Sequence, residues 1–401
     1  MYGVAIHDLA MIAGVACLFV VLLDAFKTII LPRRASGRFR LTRIFYTLTW
    51  KPGRFLVVRL RDARWREAVL GYYGPLSLLL LLMVWAGVML VGFGLIFFAL
   101  GSPFHDPVRA TGFHTDMYVS GTTIFTLGLG DVTPLSRWSR LLVILESGTG
   151  LGFLAAVMGY FPVLYGAFSR REVNISLLDA RAGSPPTAAE LIRRQSRDGG
   201  EQQMAILLTE WERWSAELLE SHISYPVLCY FRSQHNNQSW LSALTAILDT
   251  TALLISGTQG EEARQAQLTF AMARHAVVDL VQIFSLQPVN DAPDRLPPER
   301  YQKLFEVLCE SGVRVCHDNL SSQRLREMRA LYEGYAEALS RYLVMPLPPW
   351  IVEQPHKDNW QTVAKLRAQS EAVNGPNSSE AAHGERLARI LSNPIDRHHD
   401  F

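Results

Sequence analysis

The sequence predicts an all-α membrane protein in which three membrane-crossing helices precede a soluble helical domain. Two observations carry that expectation. Of 401 residues, 49% are hydrophobic and only 19% are charged, a more apolar balance than a soluble chain of this length needs. The apolar residues also crowd into the first 170 positions, whereas the remainder mixes charged and apolar residues as soluble helices do. The formal net charge of +2 gives no reason to expect a nucleic-acid partner. Cys17, Cys229, Cys309 and Cys316 show no C-x-x-C spacing, which argues against a disulfide framework and a zinc ribbon and suits a reducing cytoplasm.

The first span is expected over Leu9 to Leu31, long enough to cross a bilayer as a helix. Asp24 and Lys27 interrupt it three positions apart, a spacing that suits a structural ion pair near the inner leaflet. A signal peptide is disfavoured, because no basic residue precedes the apolar run and no small-residue cleavage site follows a shorter one. The second span, Pro75 to Leu100, contains no ionisable side chain. The third, Leu141 to Phe168, carries one carboxylate, Glu146.

Between the first two spans, Arg33, Arg34, Arg38, Arg40, Arg43, Lys51, Arg54, Arg59, Arg61, Arg64 and Arg66 face only Asp62 and Glu67. The positive-inside bias therefore puts this stretch in the cytoplasm, the N-terminus outside, and everything after Arg170 and Arg171 inside, as in a multi-pass protein of a bacterial inner membrane. Interleaved Phe39, Leu41, Ile44, Phe45, Trp50 and Phe55 allow part of residues 33–71 to lie as an amphipathic helix on anionic headgroups. A voltage sensor needs arginines at a regular three-residue step, and these are irregular and interrupted by Pro52 and Gly53. The expected organisation is a first span in 1–32, a basic linker in 33–71, a second and third span with their connection in 72–168, a soluble helical domain in 169–354 and a polar tail in 355–401.

The connection between the second and third spans is unusual. A short apolar segment, about Thr115 to Phe125, leads into Thr126-Leu127-Gly128-Leu129-Gly130-Asp131. This run resembles the pore loop of potassium channels, whose pattern is Thr-x-Gly-aromatic-Gly-Asp between a re-entrant pore helix and a final span. The resemblance covers roughly residues 75–168. It implies a filter in which the carbonyls of Thr126, Leu127, Gly128 and Leu129, with the Thr126 hydroxyl, replace the hydration shell of K+. Gly128 and Gly130 suit such a backbone, because glycine takes positive φ without a Cβ penalty. By the same resemblance Asp131 sits at the outer mouth and bonds to Tyr118 of the pore helix, while Thr122 stands where some relatives keep a carboxylate. One pore loop supplies a quarter of a carbonyl ring, so a homotetramer is implied. Leu129 departs from the pattern, which puts potassium selectivity in question, although Gly-Leu-Gly also occurs in some two-pore-domain channels.

In the third span Gly150 falls where family members carry a hinge glycine, and Pro162 offers a second kink. Close packing among the small residues Gly148, Gly150 and Gly152 is the alternative. With Gly150 central, Leu151, Leu154 and Met158 follow at helical spacing as cavity-lining candidates. Glu146, a carboxylate at membrane depth, is expected either to bond to the pore helix or to act in gating.

Beyond Ser184-Pro185-Pro186, read as a linker, helical periodicity dominates. Leu207, Trp211, Trp214 and Leu218 share one face, and Leu241, Leu244, Leu248 and Ile255 another. Further helices are expected over Glu261 to Leu286, Pro298 to Val315 and Ser321 to Leu343. Trp240 to Ser256 is apolar enough for a fourth span but short and interrupted by Asp249, so a buried core helix is preferred. No Gly-x-Gly-x-x-Gly follows a strand, so a nucleotide-binding regulatory domain is not supported. His275 with Asp279, and His317 and Asp318 beside Cys316, are too few to hold a metal. No catalytic residue and no cofactor is expected beyond K+ as the permeant ion. Three functions remain in play: a potassium channel, a weakly selective monovalent cation channel, and a non-conducting membrane sensor or scaffold. His105 and His114 on the outer side would add positive charge at the ion entrance when protonated.

Overall fold

A helix over Tyr2–Ala25, α1, is continued by a π-helical turn over Phe26–Ile30 and packs along α3, Ala63–Ala99. The computed structural model describes residues 2–31, 40–106, 112–195, 200–234, 237–257, 261–310 and 319–352. Small residues set the closeness of the α1–α3 crossing. A Cβ on Gly14 would lie 2.7 Å from the Gly92 carbonyl oxygen, and one on Gly92 would lie 2.9 Å from the Leu18 side chain. At the inner end Asp24 does not pair with Lys27. It accepts hydrogen bonds from the Thr42 backbone (2.9 Å), the Thr42 hydroxyl (2.5 Å) and Trp85 Nε1 (3.1 Å), and lies 3.6 Å from Arg40. Its oxygens are thus turned toward the following two helices, while Lys27 sits in the wider π turn.

The basic stretch contains α2, Leu41–Val58, which runs unbroken through Pro52 and Gly53. Pro52 removes one helical N–H. Tertiary packing outweighs that loss: Trp50 and Val57 enter the core of the C-terminal helical domain, and Trp50 Nε1 donates to the Tyr342 carbonyl at 3.1 Å. Ile44, Leu48, Phe55, Leu56 and Val58 stay exposed on the same helix. After it, α3 starts ahead of Pro75, capped by Asp62, which accepts from the Arg64 backbone at 2.8 Å.

The short α4, Phe113–Ile124, lies against α3 and α5, Arg137–Ala182. Two-residue strands bracket α4 and the segment after it, with β1 (Phe104–His105) antiparallel to β2 (Thr133–Pro134). A reciprocal capping box between Ser136 and Ser139 starts α5. This helix continues past Phe168, where the third span was expected to end, because Ile175, Leu178 and Ala182 carry its buried face into the core of the C-terminal helical domain. Gly183, at φ +81°, ends it, donating its N–H to the Asp179 carbonyl at 2.9 Å. Gly183 to Pro186 then form a turn, with a cis peptide between Ser184 and Pro185, and Gly183 and Pro186 are buried. The stretch read as a linker is thus packed into the domain.

The C-terminal helical domain comprises α6 (Ala188–Gln195), α7 (Gly200–Ser224), a 3-10 turn (Pro226–Tyr230), α8 (Trp240–Gly257), α9 (Glu261–Ile283), α10 (Pro298–Glu310), α11 (Asn319–Ala330) and α12 (Glu333–Leu343). Although α8 is apolar enough to span a bilayer, 94% of it is buried inside the protein, against 11–44% for the other three candidate spans. Asp249 within it is met by a bidentate Arg295 (3.0 and 2.5 Å) and by the Tyr332 hydroxyl (2.5 Å). Burial opposes the Arg295 charge, but Asp249 beside it holds the guanidinium above its ordinary value. The single helix expected over 321–343 is two, interrupted where Tyr332 turns inward to reach Asp249. α10 ends at Glu310, and the rest of the helix expected to Val315 lies outside the described residues, as do 355–401, read as a polar tail.

Arg171 fastens α5 to this domain. Its guanidinium donates to the Leu228 and Phe231 carbonyls, both at 3.0 Å, and pairs with Glu172 at 2.8 Å. Nη1 also approaches His222 Nε2 at 3.2 Å, while His222 Nδ1 lies 2.8 Å from the Leu218 carbonyl. The arrangement assigns the proton to Nδ1, leaving Nε2 to accept from Arg171. Burial, reinforced by the Arg171 charge, pushes His222 well below the usual imidazole range.

Candidate functional site: the loop between the second and third spans

Helix α4 points its C-terminus at the Thr126–Asp131 segment, and its last carbonyls hold that segment. The Thr122 carbonyl accepts from Leu127 N at 2.8 Å and from Gly128 N at 3.2 Å, and the Thr123 carbonyl from Thr126 N at 3.0 Å. The Thr122 hydroxyl turns back to the Val119 carbonyl of its own helix at 3.0 Å, so it does not replace a carboxylate behind the loop. At the far end the Tyr118 hydroxyl donates to Asp131 Oδ2 at 2.7 Å, bridging the middle of α4 to the outer end of the segment.

Backbone handedness alternates between those anchors. Thr126, Gly128 and Gly130 have φ of +56°, +54° and +76°, while Leu127 and Leu129 between them do not take positive φ. Alternating the sign of φ turns successive peptide planes the same way, which lines carbonyl oxygens along one side of an otherwise extended strand. The glycines take this backbone freely. Thr126, β-branched and left-handed, is strained, a cost sequence reading missed because no residue-type signal marks it.

The surrounding scaffold is closely fitted. Asp116, in the first turn of α4, accepts from the Ser102 hydroxyl at 2.6 Å. A Cβ on Gly150 would lie 2.3 Å from the Ile124 carbonyl oxygen, so α5 touches the last turn of α4 at this glycine, while Gly148 and Gly152 face open space. Both Gly150 and Pro162 lie within the continuous α5. Ser120 Oγ lies 2.9 Å from the Leu90 carbonyl of α3 and also contacts Glu146 Oε1 of α5. The intramembrane Glu146 was visible in the sequence; Ser120, one serine in a short helix, gave no signal.

The segment itself is left uncovered by the described residues. Leu127 and Leu129 are 62% and 63% exposed, and a Cβ at Gly128 or Gly130 would meet nothing within 4 Å. Leu151, Leu154 and Met158 are likewise exposed along α5. His105 and His114 are exposed, and His105 lies opposite Thr133, two residues after Asp131. His275 pairs with Asp279 at 3.4 Å, the 316–318 cluster lies outside the described residues, and no metal-holding group of three or more side chains occurs among the described residues.

Residues 80–164 match the family model described as ion channel. The match begins inside α3, takes in α4 and the Thr126–Asp131 segment, and ends inside α5. That part is therefore similar to ion channels, within an all-α chain that carries several helices apolar enough to cross a membrane. The chain is also similar to the uncharacterized membrane protein YdjJ of Bacillus subtilis (strain 168), 24% identical over 318 residues, covering 76% of this chain and 87% of that protein. A likeness of 318 residues extends well beyond residues 80–164 into the C-terminal helices. No solved structure matches the chain significantly.

Proposed function

We propose that the chain is one subunit of a tetrameric channel that passes K+ down its gradient, with Thr126 to Asp131 as the selectivity filter. The observation that carries this reading is the alternation of φ at Thr126, Gly128 and Gly130 between two anchors, the end of α4 and the Tyr118–Asp131 hydrogen bond. Four such segments around an axis make stacked carbonyl rings that substitute for the ion's water. The partial negative charge at the C-terminus of α4 adds to the attraction for a cation. Exposure of Leu127, Leu129, Leu151, Leu154 and Met158 in the single chain supports a closed ring of copies that covers the filter and leaves the α5 face to line a cavity. K+ is then the permeant ion and the protein a transporter, not an enzyme.

The orientation follows the charge asymmetry, with the N-terminus outside the bacterial inner membrane and α6–α12 in the cytoplasm. The exposed apolar residues of α2, between arginines, suit anionic headgroups at the inner leaflet. Arg171 and its partners make the cytoplasmic domain the natural place for gating signals to enter, through Gly150 and Pro162 of α5.

Leu129, in place of an aromatic residue, favours a second reading, a weakly selective monovalent cation channel. Purified protein in planar bilayers under a potassium-for-sodium gradient separates the readings. A reversal potential close to that of potassium is expected. A reversal potential near zero favours weak selectivity, and no current under any condition favours a non-conducting sensor.

A further inference from the structure

Ser120 carries one hydroxyl proton, yet its oxygen has two acceptors within reach, the Leu90 carbonyl at 2.9 Å and Glu146 Oε1. One proton serves one of them. Were Ser120 to give it to Glu146, the carboxylate would be ionised at membrane depth with Oε2 sealed in and lacking any hydrogen-bond partner in the described chain. Glu146 is fully buried by its own chain, shut off from bulk solvent. Placing a proton on the carboxyl satisfies both contacts and removes the uncompensated charge.

We propose that Glu146 is held as a neutral carboxylic acid that donates to Ser120, whose own proton goes to the Leu90 carbonyl, and that this chain positions the pore helix behind the filter. The relay joins α5, α4 and α3 one turn before the end of α4, and Gly150, one turn further along α5, touches Ile124. The neighbouring elements bring little charge to compete. From Pro75 to Ala99 α3 has no ionisable side chain. On α4, His114 is exposed, Asp116 is bonded to Ser102 and Tyr118 to Asp131. On α5, Arg137 and Arg140 lie at the outer end, where both are exposed.

The positioning role rests on the channel reading; the protonation state does not, and the test keeps them apart. Infrared difference spectra between the parent protein and Glu146→Gln, both in lipid at neutral pH, should show the carbonyl band of a protonated carboxyl in the parent alone. A carboxylate band in its place overturns the proposal whether or not the protein conducts. In planar bilayers, Glu146→Gln, whose amide still donates to Ser120, should keep most of the parent potassium-to-sodium permeability ratio. Glu146→Leu, which cannot donate, should lower it by about tenfold, the equivalent of one lost hydrogen bond. A parental ratio in the leucine variant, or a glutamine variant as impaired as the leucine one, overturns the positioning role.

Discussion

Thr126 accepts a left-handed backbone that glycine would take at no cost. Under the channel reading its hydroxyl is an ion ligand, and the neighbouring glycines should be just as restricted. Gly128→Ala places a Cβ on a residue at φ +54°, at about 1–2 kcal/mol per subunit, and is expected to abolish conduction in planar bilayers even where the assembly survives. Leu129→Tyr alters only a side chain and should preserve or raise the potassium-to-sodium permeability ratio. Conduction by Gly128→Ala at the parental level would show that Thr126 to Asp131 is not the filter. His222 supports a prediction of a different kind. Its folded form stays neutral below the ordinary 6.5, so the unfolded chain binds a proton that the folded chain refuses, and stability falls as pH drops below that value. The slope, at most about 1.4 kcal/mol per pH unit, should be visible in melting temperatures and should disappear in His222→Gln. At this scale the glycines, Asp131 and the Tyr118 position were legible because backbone geometry restricts residue type. The Ser120 contact and the strain at Thr126 were not, since they depend on where three helices meet.

Helices α1 and α3 meet where neither can carry a side chain. Gly14→Leu must push against the Gly92 carbonyl and Ile96, so the crossing has to open. A lower melting temperature in detergent is expected, with the loss of stability in the range of about 1–3 kcal/mol that overpacking causes. An unchanged melting temperature would show that α1 is not held to α3 by this contact. Element existence was legible from hydropathy and periodicity, but element length was not. Because α5 passes into the C-terminal helical domain without a break, its apolar run predicts only its first part. The same physics hides the continuity of α2 through Pro52, where burial of Trp50 outweighs a local propensity. In α8 the sequence signals conflicted, and Asp249 decided correctly in favour of a core helix.

The whole molecule, as a single chain, leaves its most specific segment uncovered, and a fourfold ring is the expected remedy. Native mass measurement of the detergent-extracted, conducting protein should give four subunits; a conducting monomer or dimer would contradict it. Fold class was legible because the bilayer imposes its own composition on the first 170 residues. Assembly is legible only through the pore loop, since no sequence pattern records how many copies surround an axis. Mechanically, the 46-residue α5 is a rod about 69 Å long at a rise of about 1.5 Å per residue. Under the channel reading its contact with Ile124 at Gly150, about 20 Å from the start of the helix, is the natural pivot. The long arm, from Gly150 to Arg171, measures about 32 Å, and the short arm, from Gly150 to Glu146, about 6 Å. Turned about that point by roughly 10°, the rod carries Arg171 through about 5 Å while Glu146 moves about 1 Å, a fivefold gearing-down. Under the channel reading, coarse travel of the helical domain would arrive beside Thr126 to Asp131 as a fine adjustment, with the force multiplied by the same ratio.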